Sequence, residues 1–136
     1  MRSAAGFSLI EVMVSIIILA IALLGTAGLM STSLKNTNNS YYRSQATVLA
    51  DDILDRMRAN KTAARGYMYN ADLGAAPAAC AVGNTMAVFD CTEWKNTLAN
   101  VLPGGDGTVT VDSNGVVTIV ILWNGDDNSF TTESRL

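Results

Sequence analysis

Few side chains in this 136-residue chain can do chemistry, and the most telling is a single acid. Glu11 stands at the head of an uncharged run, residues 12–30, and no Lys, Arg or His lies between Phe7 and Leu34. A carboxylate at the edge of such a run is costly unless a cation or a hydrogen-bond donor meets it. Histidine is absent, which removes Ser/His/Asp triads, Cys/His nucleophiles, His-ligated zinc and imidazole bases together. Two cysteines, Cys80 and Cys91, are too few for a four-thiolate metal site and lack the Cys-x-x-Cys spacing of a redox pair. Asp126, Asp127 and Asn128 bring acids to a turn but lack the alternating spacing and later Glu of a calcium loop. Asn38-Asn39-Ser40 and Asn60-Lys61-Thr62 fit the glycosylation triplet, yet both fall on expected helix. Paired catalytic carboxylates, a Gly-rich phosphate loop and a nucleophile elbow are all missing. The sequence thus points to no enzyme, no cofactor and no metal. Its 9 Lys+Arg against 12 Asp+Glu, a net charge of −3, set it apart from basic nucleic-acid binders.

The element that must carry Glu11 is a helix in apolar surroundings. Residues 12–30 are 19 positions without a charge, with Ser15 and Thr26 the only polar side chains among them. At ~1.5 Å per residue the run is about 28 Å long, close to the ~30 Å hydrocarbon core of a bilayer. A secretory signal peptide would need a basic start, a shorter apolar run and a small-residue cleavage site after it. Here Arg2 is the only base and Glu11 sits where the positive flank belongs.

The helix is expected to continue beyond the apolar run, because residues 31–65 contain no Pro and no Gly. Leu34, Tyr41, Val48, Leu49, Ile53 and Met57 recur at seven- and four-residue steps, opposite Lys35, Asn38, Arg43, Asp51, Asp55 and Arg58. Gly66 reads as the residue that ends it, behind Arg58, Lys61 and Arg65. One continuous helix over residues 7–65 is the expectation. Within it Gly25 and Gly28 are read as a soft point, with close helix packing or simple tolerance as the alternative.

Residues 66–89 read as an irregular loop with Pro77, anchored by Tyr67 and Tyr69. Asp90 reads as an N-cap, with Glu93 completing a capping box and Trp94, Leu98, Val101 and Leu102 at helical spacing. Pro103-Gly104-Gly105 ends that short helix, and Trp94 is expected in the core. Residues 108–111 alternate, Ser113-Asn114-Gly115 signals a hairpin, and residues 116–123 read as a central strand covered on both faces. Asn124 to Asn128 form a turn before a third strand over residues 129–135. The expected fold is α+β, a long amino-terminal helix packed on a small three-stranded antiparallel sheet. The expected domains are a leader (1–6), an apolar helix (7–30) and a globular part (31–136). The last divides into the amphipathic helix half (31–65), the loop and short helix (66–106) and the sheet (107–136).

The uninterrupted run Gly6-Phe7-Ser8-Leu9-Ile10-Glu11-Val12, opening an apolar helix, resembles the type IV pilins and the type II secretion pseudopilins. The resemblance implies cleavage by a prepilin peptidase between Gly6 and Phe7 and N-methylation of Phe7. The mature chain would hold 130 residues (136 − 6) with a net charge of −4, since Arg2 leaves with the leader. The new amine of Phe7, from the same chain or an adjacent one, then becomes the partner for Glu11 and fixes the stagger between stacked helices. Snorkelling of Glu11 into the headgroups is the alternative reading.

The resemblance further places residues 31–136 in the periplasm of a bacterium, anchored by a single helix in the inner membrane, and later in the pilus fibre. In that oxidising compartment Cys80 and Cys91 are expected to form a disulfide. Ser40-Tyr41-Tyr42-Arg43-Ser44-Gln45-Ala46, the stretch from Ala50 to Asn60, the two cysteines, Trp94, Leu102-Pro103-Gly104-Gly105 and Trp123 look like the minor pilins called PilV. That likeness implies a low-abundance subunit that helps start pilus assembly, and with it adhesion and twitching motility. Its partners would be other minor pilins, the major pilin, the prepilin peptidase/methyltransferase and the assembly platform, with no nucleic acid. The alternatives are a minor pseudopilin of a type II secretion system and a membrane-anchored periplasmic enzyme or binding protein.

Overall fold

The computed structural model describes residues 6–74, 80, 83, 85–125 and 128–136. The leader residues 1–5, Pro77 and the acids Asp126 and Asp127, all read from the sequence above, lie outside the described residues. The chain forms two compact units, Met1–Asn39 and Ser40–Leu136.

The first unit is helix. Helix α1 spans Leu9–Ala59 and begins where the Ser8 carbonyl accepts from the amides of Glu11 (3.0 Å) and Val12 (3.4 Å). Glu11 thereby falls in the first turn, where the positive end of the helix favours an acid. Ser15 and Thr26 return their hydroxyls to the carbonyls of Glu11 (2.7 Å) and Leu23 (2.9 Å), so neither adds an unsatisfied polar group. The described apolar side chains of this unit are exposed, from Phe7 and Leu9 through Leu29 and Met30 to Leu34.

The second unit holds the core. Here α1 buries Ala46, Leu49, Ala50, Ile53, Leu54 and Met57, a stripe at three- and four-residue steps. Tyr41 and Val48, expected on that stripe, are exposed instead, as is Leu34. At about 100° per residue the seven-step series lies on a different side of the helix from the series Leu49, Ile53, Met57, and only the latter meets the core.

The helix is not continuous to Arg65. It stops at Ala59; α2 spans Lys61–Arg65, with Asn60 (φ −123°, ψ 55°) between them. Asn is a poor helix former, because its side chain competes for backbone groups in other conformations. Nor is Gly66 the left-handed residue. Its φ is −82°, and Tyr67 (φ 61°) takes that step. Met68 N donates to Ala63 O and Tyr67 N to Ala64 O, both at 3.1 Å, the paired bonds of a Schellman end displaced by one residue.

Helix α3 spans Met86–Val101, longer than the expected short helix. Its N-cap is Thr85, whose Oγ1 accepts from Val88 N at 3.4 Å. Asp90 is therefore not a cap; it lies inside the helix, buried, with partners on other elements. Trp94 is buried as expected, and its Nε1 donates to the Leu49 carbonyl at 2.9 Å, tying α3 to α1. The helix ends before Pro103, with Leu102 as its C-cap.

The sheet is antiparallel with order β1-β2-β3: β1 Asp106–Val111, β2 Val116–Trp123, β3 Asn128–Arg135. Hairpin register runs from Val111 opposite Val117 to Asp106 opposite Leu122. Its four-residue loop, 112–115, ends on Gly115 (φ 77°), and the Asp112 carboxylate accepts the amides of Asn114 (2.8 Å) and Val116 (2.7 Å). The Val116 amide bond is the chief cause that holds the Asp112 carboxyl below its ordinary range. β2 is not covered on both faces. Val117, Ile119, Ile121 and Trp123 are buried, whereas Val116, Thr118, Val120 and Leu122 stay partly open. Its unbroken apolar sequence reflects strand preference on the outer face as much as burial.

Candidate functional site

Two groups of sequence-named residues sit on separate units. On the first, Phe7, Glu11, Val12, Ser15, Ile16 and Leu19 line a shallow groove on the side of α1. Phe7 is 85% exposed, directly behind Gly6, so the peptide bond between them lies on open chain ahead of the helix. No ion pair to Glu11 occurs among the described residues. The groove therefore presents one acid in an apolar wall. Gly25 and Gly28 both lie within α1, and a Cβ added at either would meet nothing within 4 Å. A neighbouring helix can approach the backbone there.

On the second unit Cys80 and Cys91 are joined by a disulfide with Cα atoms 6.0 Å apart. With Ala71 they form a small buried cluster beside the main core. The bridge fastens the loop to α3, and Ala71 pairs with Val109 of β1 through backbone bonds of 2.9 and 3.0 Å.

Sequence reasoning missed two polar networks that hold the same region. The Lys95 side chain is 1% exposed; its ammonium meets Asp106 Oδ1 at 2.8 Å and donates to the carbonyls of Asp72 and Gly74. Burial works to raise the Asp106 carboxyl, but the amides of Gly74 and Gly107 together with Lys95 outweigh it and hold the group below its ordinary range. A signal existed: Cys91, Trp94, Lys95 and Leu98 share one helical stripe, so Lys95 belongs with the buried residues by spacing alone. In the second network the buried Tyr69 hydroxyl donates to Asp90 Oδ2 at 2.7 Å. Arg56 reaches Asp90 (3.3 Å), Glu93 (2.7 Å) and Asp52 (3.1 Å), which together raise the guanidinium, Glu93 foremost. Desolvation first, then the Asp90 bond, push the Tyr69 hydroxyl up to about 12. All these groups are occupied in tying α1, the loop and α3 together. Among the described residues no group of three or more His, Cys, Asp or Glu is arranged to hold a metal.

A long apolar-then-buried helix, a disulfide-fastened loop and a three-stranded antiparallel sheet define the class: an α+β fold of the type IV pilin kind. Comparison with known families agrees. Residues 1–27 match the prokaryotic N-terminal methylation motif, and residues 28–100 match the family model described as type IV pilin Tt1218. The latter covers more than half of the 136 residues, and the chain belongs to this type IV pilin family. No curated protein and no solved structure gives a significant match.

Proposed function

We propose that this type IV pilin is a minor, PilV-like subunit that helps prime pilus assembly and so supports adhesion and twitching motility. Prepilin peptidase cuts between Gly6 and Phe7, and the Phe7 amine is then methylated. α1 holds the chain in the inner membrane with the disulfide-bonded unit in the periplasm, until other minor pilins and the major pilin draw it into a fibre at the assembly platform. Catalysis plays no part in the role. The observation that carries the reading is the placement of Glu11. It stands in the first turn of a helix long and apolar enough to cross a membrane, with no cation paired to it among the described residues. An acid so placed supports a role in register, because the free amine of a chain stacked alongside can satisfy it in lipid.

Two measurements test this. Mass spectrometry of the mature amino terminus is expected to show N-methylated Phe7; a chain that still begins at Met1, or one cut near Ser31, refutes it. Glu11→Ala is expected to be cleaved and inserted normally yet absent from sheared fibres, and its normal incorporation overturns the role given to Glu11. Co-purification with secretion pseudopilins instead of pilus subunits would reassign the chain to a type II secretion system.

A further inference from the structure

The two edges of the sheet are treated differently. In the β1–β2 hairpin, Asp112 N donates to Val116 O, so Gly107, Val109 and Val111 turn their backbone groups away from β2. Each of those outward amides has a partner within the chain. Gly107 N donates to Asp106 Oδ1 (2.8 Å), Val109 N to Ala71 O (3.0 Å) and Val111 N to Asn70 Oδ1 (3.1 Å). At the other side Leu136 N donates to Gly115 O, which fixes Ser129, Thr131, Glu133 and Arg135 as the outward-facing residues of β3. These four are exposed, and among the described residues none of their amides meets an acceptor.

No backbone device in β3 blunts this edge. It pairs with β2 over eight consecutive positions, without a bulge, and contains no proline. The half-buried Phe130 packs against the core from the inner face, so a further strand would find apolar surface beneath it. The outward side chains read hydroxyl, hydroxyl, acid, base from Ser129 to Arg135.

We propose that the outer edge of β3 docks an extended strand from a different polypeptide, antiparallel, with an acid opposite Arg135 and a base opposite Glu133. A second copy of this chain fits poorly. Antiparallel β3–β3 pairing matches Glu133 with Arg135 only in a register that leaves Ser129 and Thr131 overhanging. Every register with longer overlap puts Glu133 against a hydroxyl or against its own like charge. The binding mode is strand addition, in which main-chain bonds give affinity and the charges set register. The test concerns β3 alone and is independent of cleavage, methylation and Glu11, so its failure leaves the assembly role standing.

The experiment uses the full chain in detergent micelles and two fluorescent peptides. One is Glu-Val-Lys-Val-Thr-Val-Thr, matched to the edge; the other, Lys-Val-Glu-Val-Thr-Val-Thr, has its charges exchanged. By fluorescence polarisation the matched peptide is expected to bind about fivefold more tightly. The double variant Glu133→Lys/Arg135→Glu, both exposed, is expected to invert that preference. Thr131→Pro removes an outward amide but no bond to β2, so it is expected to keep the near-UV circular dichroism and weaken binding about tenfold. Equal binding of the two peptides, or an unchanged preference in the double variant, overturns the proposal. So does a chain dimer by sedimentation that Thr131→Pro abolishes, since the edge would then serve a second copy.

Discussion

Replacing Asp106 by Asn tests what holds the loop to α3. The substitution keeps the shape at the end of β1 and removes the carboxylate that lies 2.8 Å from the Lys95 ammonium. Lys95 cannot retreat to water, because its side chain is 1% exposed. Stranding a buried charge costs about 3–5 kcal/mol. Two carbonyls, of Asp72 and Gly74, still accept from the ammonium, and Asp106 is itself 27% exposed, so the lower end applies. A loss of ~3 kcal/mol in a unit of this size lowers Tm by roughly 12 °C. Near-UV circular dichroism of Trp94 and Trp123 during heating, with the full chain in micelles, reads it directly. Lys95→Met should cost less than half as much, since the freed carboxylate rehydrates. Acid gives an independent signature. The Asp106 carboxyl is depressed in the fold, so its contribution is present above the ordinary carboxylate range and is lost as pH falls through the lowered value. That acid limb should shrink in Asp106→Asn. A Tm within about 2 °C of the parent, or a Lys95→Met variant worse than Asp106→Asn, would refute the reasoning.

Other perturbations follow from the same region. Reducing the Cys80–Cys91 bridge, which spans a sequence separation of 11, should cost ~2.8 kcal/mol by loop entropy, with a 2 Da gain in mass as its chemical check. Tyr69 has a raised hydroxyl, so its contribution is complete below the ordinary tyrosine range near pH 10 and is lost as pH rises through about 12. Alkaline melts should show a loss on the order of 3 kcal/mol at most across that window, and Tyr69→Phe should abolish it. Gly107→Ala places a Cβ 2.6 Å from Trp94 Cη2 and 2.9 Å from Leu98 Cδ1, and overpacking of ~1–3 kcal/mol should appear as a lower denaturant midpoint.

How far the sequence told the fold depended on the kind of signal. The hairpin at Ser113-Asn114-Gly115, the end of α3 before Pro103 and the buried Trp94 were legible because turn residues and strong periodicity act locally. The Glu11 motif was legible as a charge in the wrong place. The break at Asn60 was not, because a single Asn inside a run without Pro or Gly is a weak breaker signal on its own. The start of α3 was misread because Asp90 and Glu93 imitate a capping box, while their partners Tyr69 and Arg56 come from other elements. Tyr41 and Val48 misled through a periodicity that was real but belonged to another face of α1.

Gly74 and Cys80 are each fastened from outside their own stretch of chain. Gly74 donates to Asp106 and accepts from Lys95, and Cys80 is bonded to Cys91. Both anchors therefore draw on α3, Lys95 at the one and Cys91 at the other, so a displacement of that helix is felt by the two together.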